Sequence, residues 1–561
     1  MDATECIGAI DQGTQSTRVY IFDKDCIPLG MHQTALPQIY PQAGWCEHDP
    51  MEIWRTVVEC LSQAWEAAQQ NVVSAGRPPL RMRALGLTNQ RETTVVWSRT
   101  TGRPLHNAIV WLDNRTGHLC ESLAAAHGGA DAFRPATGLP ISPYFSATKY
   151  LWMYEHVPEV RAAVDSGDAA VGTVDSWLIW QLTGGPAGGV HVTDVSNASR
   201  TLLMDLETLD WHPPALTAFR CPAAALPRIV SNAEEYGRLC TTVTAAALYG
   251  GGADGGLGGG GGGGGGGSGG GGGFRRDPLA PLQGVPIAGS LGDQMAALLG
   301  QRCRPGEAKN TYGTGCFMLL NTGQRRIAST HGLLTTLAFK LGPDRPAHYA
   351  LEGSVAVAGL GISWLRDNLG IIGSAAESEA LAASVPDTGG VYLVPAFSGL
   401  LAPHWRPDAR GVLVGLTSFT SRAHVVRAML EAICFQTREV LDAMRRDADL
   451  DAHHGGLAAL RVDGGAAAND LLMQLQADLL QVPVTRPAFR ESTSLGAALA
   501  AGMAVGLWTR DEVFAGTGAG AARTFVPNIT PGAAQKRYGR WSLAVERALE
   551  LSALAPQDGE A

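Results

Sequence analysis

The segment Asp11-Gln12-Gly13-Thr14-Gln15-Ser16-Thr17-Arg18 constrains this chain more than any other. It lies between residues 6–10 and 19–22, two short runs of β-forming residues, so the pattern reads as a β-hairpin closed by a polar link. The link is unusual in make-up. Gly13 lets a ligand approach the backbone, and three hydroxyls and several backbone N–H groups surround it. The Asp11 carboxylate at its mouth could position a hydrated metal ion. These parts suit a turn that grips phosphate with Mg²⁺ nearby, although the same residues would also make an ordinary polar hairpin. The rest of the chain has to decide.

At 561 residues the chain is too long for one ordinary core, and 45% apolar residues are ample for two. A net charge of −9 argues against a general affinity for nucleic acid or anionic membranes. No basic and apolar leader opens the sequence, organelle targeting is not evident, and no uninterrupted apolar run is long enough to span a bilayer. The ten cysteines are scattered without a C-x-x-C pair, which fits reduced thiols better than a disulfide or zinc framework. A cytoplasmic protein is expected.

Following the hairpin, residues 27–36 read as a third strand, so a three-strand meander enters a helix over residues 49–70. Asp49 is its N-cap, Pro50 its first residue and Glu52 its N3 residue, while Ile53, Trp54, Val57, Val58, Leu61 and Trp65 recur at helical spacing as core. Residues 84–88 and 94–97 read as strands flanking Asn89-Gln90-Arg91-Glu92-Thr93. Adjacent charges at a strand end need partners if buried; they form either a surface ion pair or a clamp on a small hydroxyl-rich substrate. Trp111 to Thr116 and Pro143-Tyr144-Phe145-Ser146 offer further aromatic and polar walls. Residues 147–249 carry little legible chemistry. Residues 250–273 are almost pure glycine, which has nothing to bury and is too uniform for a phosphate loop, so it reads as a flexible insertion.

Further on, Gly292-Asp293-Gln294 joins a strand to an apolar helix, placing a carboxylate where helix-end N–H groups can hold it ionised as a base, or where it serves as N-cap. Lys309-Asn310-Thr311-Tyr312-Gly313-Thr314-Gly315-Cys316-Phe317 repeats the arrangement of strand, Gly/Thr turn and strand, so the second half echoes the first. A scaffold helix capped by Ser421 is expected over residues 424–444. Asp463-Gly464-Gly465 follows a short strand and opens another helix, and its paired glycines would let a ring and ribose lie on the backbone.

Taken in order, the stretches at residues 11–18, 86–97, 107–116, 143–149, 292–301, 309–323, 351–359, 435–444 and 460–470 resemble the FGGY carbohydrate-kinase family. Asn89-Gln90-Arg91-Glu92-Thr93 and Thr311 to Phe317 resemble its glycerol branch. The resemblance implies an α/β fold of two actin-like, ribonuclease-H-like domains with the active site in the interdomain cleft. It divides the chain into an N-terminal domain over residues 1–300, a C-terminal nucleotide-binding domain over 301–540 and a tail over 541–561. It also implies ATP and Mg²⁺ as cofactors, glycerol as substrate and a homo-oligomer, dimer or tetramer.

Carried over residue by residue, Arg91, Glu92, Tyr144, Asp293 and Gln294 match glycerol-contacting positions, with Trp111 and Phe317 as apolar walls. Thr14, Gln15, Ser16 and Arg18 match the first phosphate loop, and Thr314, Gly359, Gly465 and Asn469 match other ATP contacts. The expected mechanism has Asp293 as general base and Asp11, with Asp293, holding Mg²⁺ through water. Two departures matter. The polyglycine stands where bacterial members often carry a basic loop for fructose 1,6-bisphosphate, with Arg275-Arg276 only at its end, so that regulation is not expected. Ser363 stands where some members have a nucleotide-contacting Gln. A kinase for another polyol or ketose, or a catalytically silent nucleotide-binding protein, is the competing reading.

Overall fold

The computed structural model describes residues 3–241, 277–516 and 522–551. The polyglycine stretch and Arg275-Arg276 lie outside the described residues.

The first half builds a six-stranded sheet. Strands β1 (Thr4–Gln12), β2 (Ser16–Asp23) and β3 (Pro28–Ala35) form the expected antiparallel meander. Helix α1 (Pro50–Ser74) then crosses to β4 (Leu80–Asn89), which runs parallel to β1. Its Asp49 N-cap accepts from the Met51 N–H, whereas Glu52 pairs with Arg55 instead of closing a capping box. Ile53, Trp54, Val57, Val58 and Leu61 are buried in the core of this half, as their spacing predicts. Strand β5 (Thr94–Ser98) belongs to a smaller four-stranded sheet, and helix α2 (Ser146–His156) and short α3 (Val195–Ala198) follow. Strands β6 (Ala233–Arg238) and β7 (Pro286–Gly292) complete the large sheet in the order β6-β7-β4-β1-β2-β3. Helix α4 (Asp293–Gly300) starts where β7 ends.

The second half repeats this plan. Strands β8 (Ala308–Tyr312), β9 (Cys316–Gly323), β10 (Leu334–Phe339) and β11 (His348–Val355) make an antiparallel group on one side. Helices α5 (Gly359–Asp367) and α6 (Arg422–Ala448, capped by Ser421) follow. Strand β12 (Leu460–Asp463) lies parallel to β8, and α7 (Asp470–Leu480) leads to β13 (Val484–Arg486). Helix α8 (Ser492–Ala504), β14 (Arg523–Phe525) and α9 (Pro531–Ala548) end the fold. The sheet order is β10-β11-β9-β8-β12-β13-β14. Each sheet is thus an antiparallel group continued by two parallel strands and an antiparallel edge, the actin-like, ribonuclease-H-like plan that the family resemblance implies.

The halves are not independent. Helix α8, from the second half, packs on β1, β4 and β7 of the first sheet and on α4. Ala296 of α4 and Gly496 of α8 touch so closely that a Cβ on Gly496 would lie 1.8 Å from the Ala296 carbonyl oxygen. Ile7, Phe22 and Leu298 share one buried cluster with Leu319, Ala350 and Leu499. Residues 541–548 continue the helix that begins at Pro531. Trp541, Ala544, Val545 and Ala548 recur at helical spacing, are buried, and complete α9. Trp541 stacks on Phe435 of α6 and donates to Glu439. No disulfide links the described cysteines, and no described helix is long and apolar enough to cross a membrane.

Candidate active site

The first turn closes with the Gly13 N–H donating to the Ser16 carbonyl at 2.9 Å. Thr14, half-buried, accepts from the Trp111 indole N–H at 2.8 Å through its Oγ1, while Gln15 is exposed and Ser16 half-buried beside it. Arg18, opposite Asp11 in the hairpin register, bonds Glu491 at 2.6 Å, so part of its charge is already paired. Asp11 is buried and accepts from Ser494 Oγ at 3.2 Å. Burial pushes its carboxyl up to about 6; Arg18 opposes this, whereas Glu491 and Asp293 add to it.

Arg91 and Glu92 follow β4, and neither is on the surface. They do not chiefly serve each other either. Arg91 makes a bidentate bond to Glu352 at 2.6 and 3.0 Å, and its Nε lies 3.0 Å from Asp293 Oδ1. Glu92 accepts from Arg200 Nε at 2.6 Å, and Arg200 Nη2 lies 3.4 Å from Glu352. Both new partners are fully buried. Burial alone would raise the Glu352 carboxyl, but Arg200 and Arg91 hold it at about 2. For Glu92 burial wins over Arg200 and Arg91, and its pKa stays above the ordinary value. The Glu92 backbone sits at φ 60°, a left-handed conformation that a non-glycine residue holds only under constraint. Its carbonyl supplies that constraint by accepting from Thr94 Oγ1 and Ser146 Oγ at 2.9 Å each.

Sequence reasoning missed Glu352 and Arg200 as site residues. Glu352 had a signal, since a lone carboxylate in the apolar strand Tyr349-Ala350-Leu351-Glu352 must find a buried cation. Arg200 had little, because its segment reads as an unremarkable polar run.

Asp293 occupies the first turn of α4, with Gly292 as N-cap, and its Oδ1 accepts from the Gln294 N–H at 2.7 Å. Gln294 is buried, and its side-chain oxygen accepts from Lys309 Nζ, which also donates to Thr311 Oγ1 at 2.8 Å. Burial lowers the Lys309 ammonium to about 8, against the pull of Asp463 and Asp293. Three cations (Arg91, Arg200, Lys309) therefore face three carboxylates (Glu92, Asp293, Glu352). The wall is aromatic. Trp111 meets Tyr144 edge-on at 5.7 Å and Phe317 at 6.0 Å, joining residues from both halves. Asp113 and Arg115, grouped with Trp111 by sequence, turn inward instead: they pair at 2.8 Å while Arg115 lies over Trp45.

The second turn exposes Thr314, whose carbonyl accepts from the Ala358 and Leu360 N–H groups at 2.9 and 3.0 Å. The Gly359 N–H donates to the Gly313 carbonyl, and a Cβ there would come within 2.6 Å of that oxygen. Gly359 therefore carries the turn from below. Gly465 differs: a Cβ on it would meet nothing within 4 Å, leaving open space over its backbone. Asn469 caps α7 by accepting from the Leu472 N–H at 2.8 Å, and its amide nitrogen lies 3.4 Å from Ser378 Oγ.

Among known proteins, the N-terminal domain of the FGGY family of carbohydrate kinases matches residues 6–254, and its C-terminal domain matches residues 308–505. The chain belongs to the FGGY family of carbohydrate kinases. Within it, the chain is 51% identical to a glycerol kinase of Arabidopsis thaliana over 556 residues, covering 98% of both proteins. It is 49% identical to the glycerol kinase of Methylorubrum populi, covering 97% of this chain and 98% of that one. A crystal structure of Plasmodium falciparum glycerol kinase with ADP superposes with a TM-score of 0.83 at 36% identity, covering 98% of this chain and 99% of that one. A gluconate kinase of Lactobacillus acidophilus shares the fold, with a TM-score of 0.77 at 21% identity over 97% of this chain and 98% of that one.

Proposed function

We propose that this protein transfers the γ-phosphoryl group of ATP to a terminal hydroxyl of glycerol, forming sn-glycerol 3-phosphate, with Asp293 as general base. Similarity to glycerol kinases over nearly the whole chain supports the reaction and substrate. The roles rest on one geometric observation: the Asp293 carboxylate stands on the first turn of α4, 3.0 Å from Arg91 Nε, beside the charged cluster.

In this reading Arg91, Glu92, Tyr144 and Gln294 bond the glycerol hydroxyls, and Trp111 and Phe317 leave no room for a longer sugar. Asp293 accepts the proton of the attacking hydroxyl as the phosphoryl group moves in line. Thr14, Gln15, Ser16 and Arg18 on one turn, and Thr314, Gly465 and Asn469 across the cleft, contact the nucleotide, with Gly359 supporting Thr314. The transition state is loose, so positioning and electrostatics supply most of the acceleration. Closing the two halves would exclude water as a competing nucleophile.

Mg²⁺ fits the residues present. Asp11 is a buried carboxylate whose charge burial disfavours, and a cation would relieve it. Asp11 and Asp293 would hold Mg²⁺ through water, and the ion would supply charge balance on the phosphate oxygens. The proposal includes a cytoplasmic location and a homo-oligomer, dimer or tetramer, which fractionation and sedimentation would test.

ADP release by purified protein with Mg-ATP, measured with glycerol and with a panel of sugars and dihydroxyacetone, tests the function. Glycerol-dependent release yielding glycerol 3-phosphate is the expected result. Release with another polyol alone would move the specificity, and nucleotide binding without release would leave a silent protein on the same fold.

A further inference from the structure

We infer that Arg200 is a positioning residue of this site: its short hydrogen bond and fixed positive charge hold Glu92 as an acceptor for a polyol hydroxyl. The inference rests on the proposed glycerol reading. Arg200 is fully buried, and its shortest contact is Nε to Glu92 Oε1 at 2.6 Å. The guanidinium carbon lies 5.5 Å from the Tyr144 ring centre and 5.3 Å from that of Phe145, while Nη1 has no acceptor. Arg200 directs its short hydrogen bond at Glu92 and, with Nη2 3.4 Å from Glu352, lends its charge to the remainder of the cluster.

The backbone around it is built to preserve that aim. Arg200 follows α3, whose N-cap Asp194 accepts from the Ser196 and Asn197 N–H groups, from the Asn197 and Asn232 amides and from Ser290 Oγ, all at 2.6–3.1 Å. Asn197 also exchanges two 3.0 Å amide bonds with Asn89, the last residue of the strand that leads to Arg91 and Glu92. Ser196 Oγ accepts from the Gly292 N–H at 3.0 Å, immediately before Asp293. One buried node thus fixes Arg200, Glu92 and Asp293 relative to one another.

The other groups facing Glu92 cannot replace Arg200. Arg91 is engaged by Glu352 and Asp293, Lys149 donates to the Pro143 and Tyr144 carbonyls, and Tyr144 and Glu352 add no positive charge. With the Arg200 charge removed, burial would be opposed by Arg91 with less positive charge beside it, and Glu92 would protonate at still higher pH. A protonated Glu92 is a weak acceptor, so glycerol affinity should fall at low pH and recover as pH rises.

The test is calorimetric glycerol binding from pH 6 to 9 by the wild type, Arg200→Met and Arg200→Lys, without nucleotide. The acid limb of affinity is expected about one to three pH units higher in Arg200→Met, the range for losing one close opposite charge. Affinity at pH 6.5 should then be weaker by about tenfold or more and approach the wild type by pH 9. Arg200→Lys should fall between them. A loss of equal size at every pH, or no loss, overturns the inference. Should Arg200→Met fail to fold, Arg200→Gln, which keeps a donor but no charge, replaces it: a limb coincident with the wild type's overturns the inference. Absence of glycerol binding by the wild type would overturn the functional reading, and this inference with it.

Discussion

Arg91 Nε and Asp293 Oδ1 meet at 3.0 Å because Asn89 and Gly292 are paired partners at the ends of adjacent parallel strands. Each charged residue lies just past the last pair of its strand, so parallel register alone delivers both to one edge of the sheet. The same edge receives Asp11, whose partner in β4 is Thr88. Ligands in open α/β sheets gather beyond such carboxyl ends, and here the acidic and basic groups of the proposed chemistry arrive there together.

Replacing Asp293 by Asn should leave glycerol affinity within a few-fold and lower turnover by about 10²–10⁴, the range for a general base. Glycerol calorimetry beside steady-state ADP release checks the separation. Near-full turnover would remove Asp293 as the base.

Glu352→Gln should destabilise the protein and raise the KM for glycerol, because two buried arginines lose a shared counter-charge. The cost for breaking a buried pair is about 3–5 kcal/mol. Urea unfolding gives the first quantity and initial rates the second; an unchanged midpoint would show that the cluster tolerates the lost charge.

For Asp11 the sign of the pH effect is fixed by its pKa being higher in the folded chain than in the unfolded one. Its contribution is full below about pH 4 and is lost as pH rises through about 6. Asp11→Asn should therefore stabilise the nucleotide-free protein at pH 8 by about 1–3 kcal/mol, with little gain at pH 4, while lowering turnover. Mg-ADP should raise the unfolding midpoint of the wild type more than that of the variant. Equal denaturation curves at pH 8 would show that the buried charge costs nothing.

The glycines separate support from contact. Gly465→Ala has open space, so it should fold normally and raise the KM for ATP if the nucleotide lies on that backbone. Gly359→Ala must displace the Gly313 carbonyl and should lower both stability and turnover. Thermal melts with ATP-dependent rates distinguish the two; a Gly465→Ala enzyme with unaltered KM would exclude nucleotide contact there.

Local sequence by itself determined the hairpins, the turns they close, the α1 core stripe and the repetition of strand, turn and strand in the two halves. Short-range chemistry governs each of these: glycine at turns, alternation in strands and apolar residues three or four apart in helices. It also offered Arg91, Glu92 and Asp293 as candidates, which the family resemblance joined with the aromatic walls into one expected site. Only the tertiary structure decided which charges neutralise which. Arg91 is paired with Glu352 and Glu92 with Arg200, across the two halves and across a segment whose sequence carried no legible chemistry. It also turned Asp113 and Arg115 inward and drew residues 541–548 into a helix against α6. The reason is physical. A buried charge must find an opposite charge wherever the fold brings one, and strand register and helix crossing, unlike local pattern, are set by contacts between residues far apart in the chain.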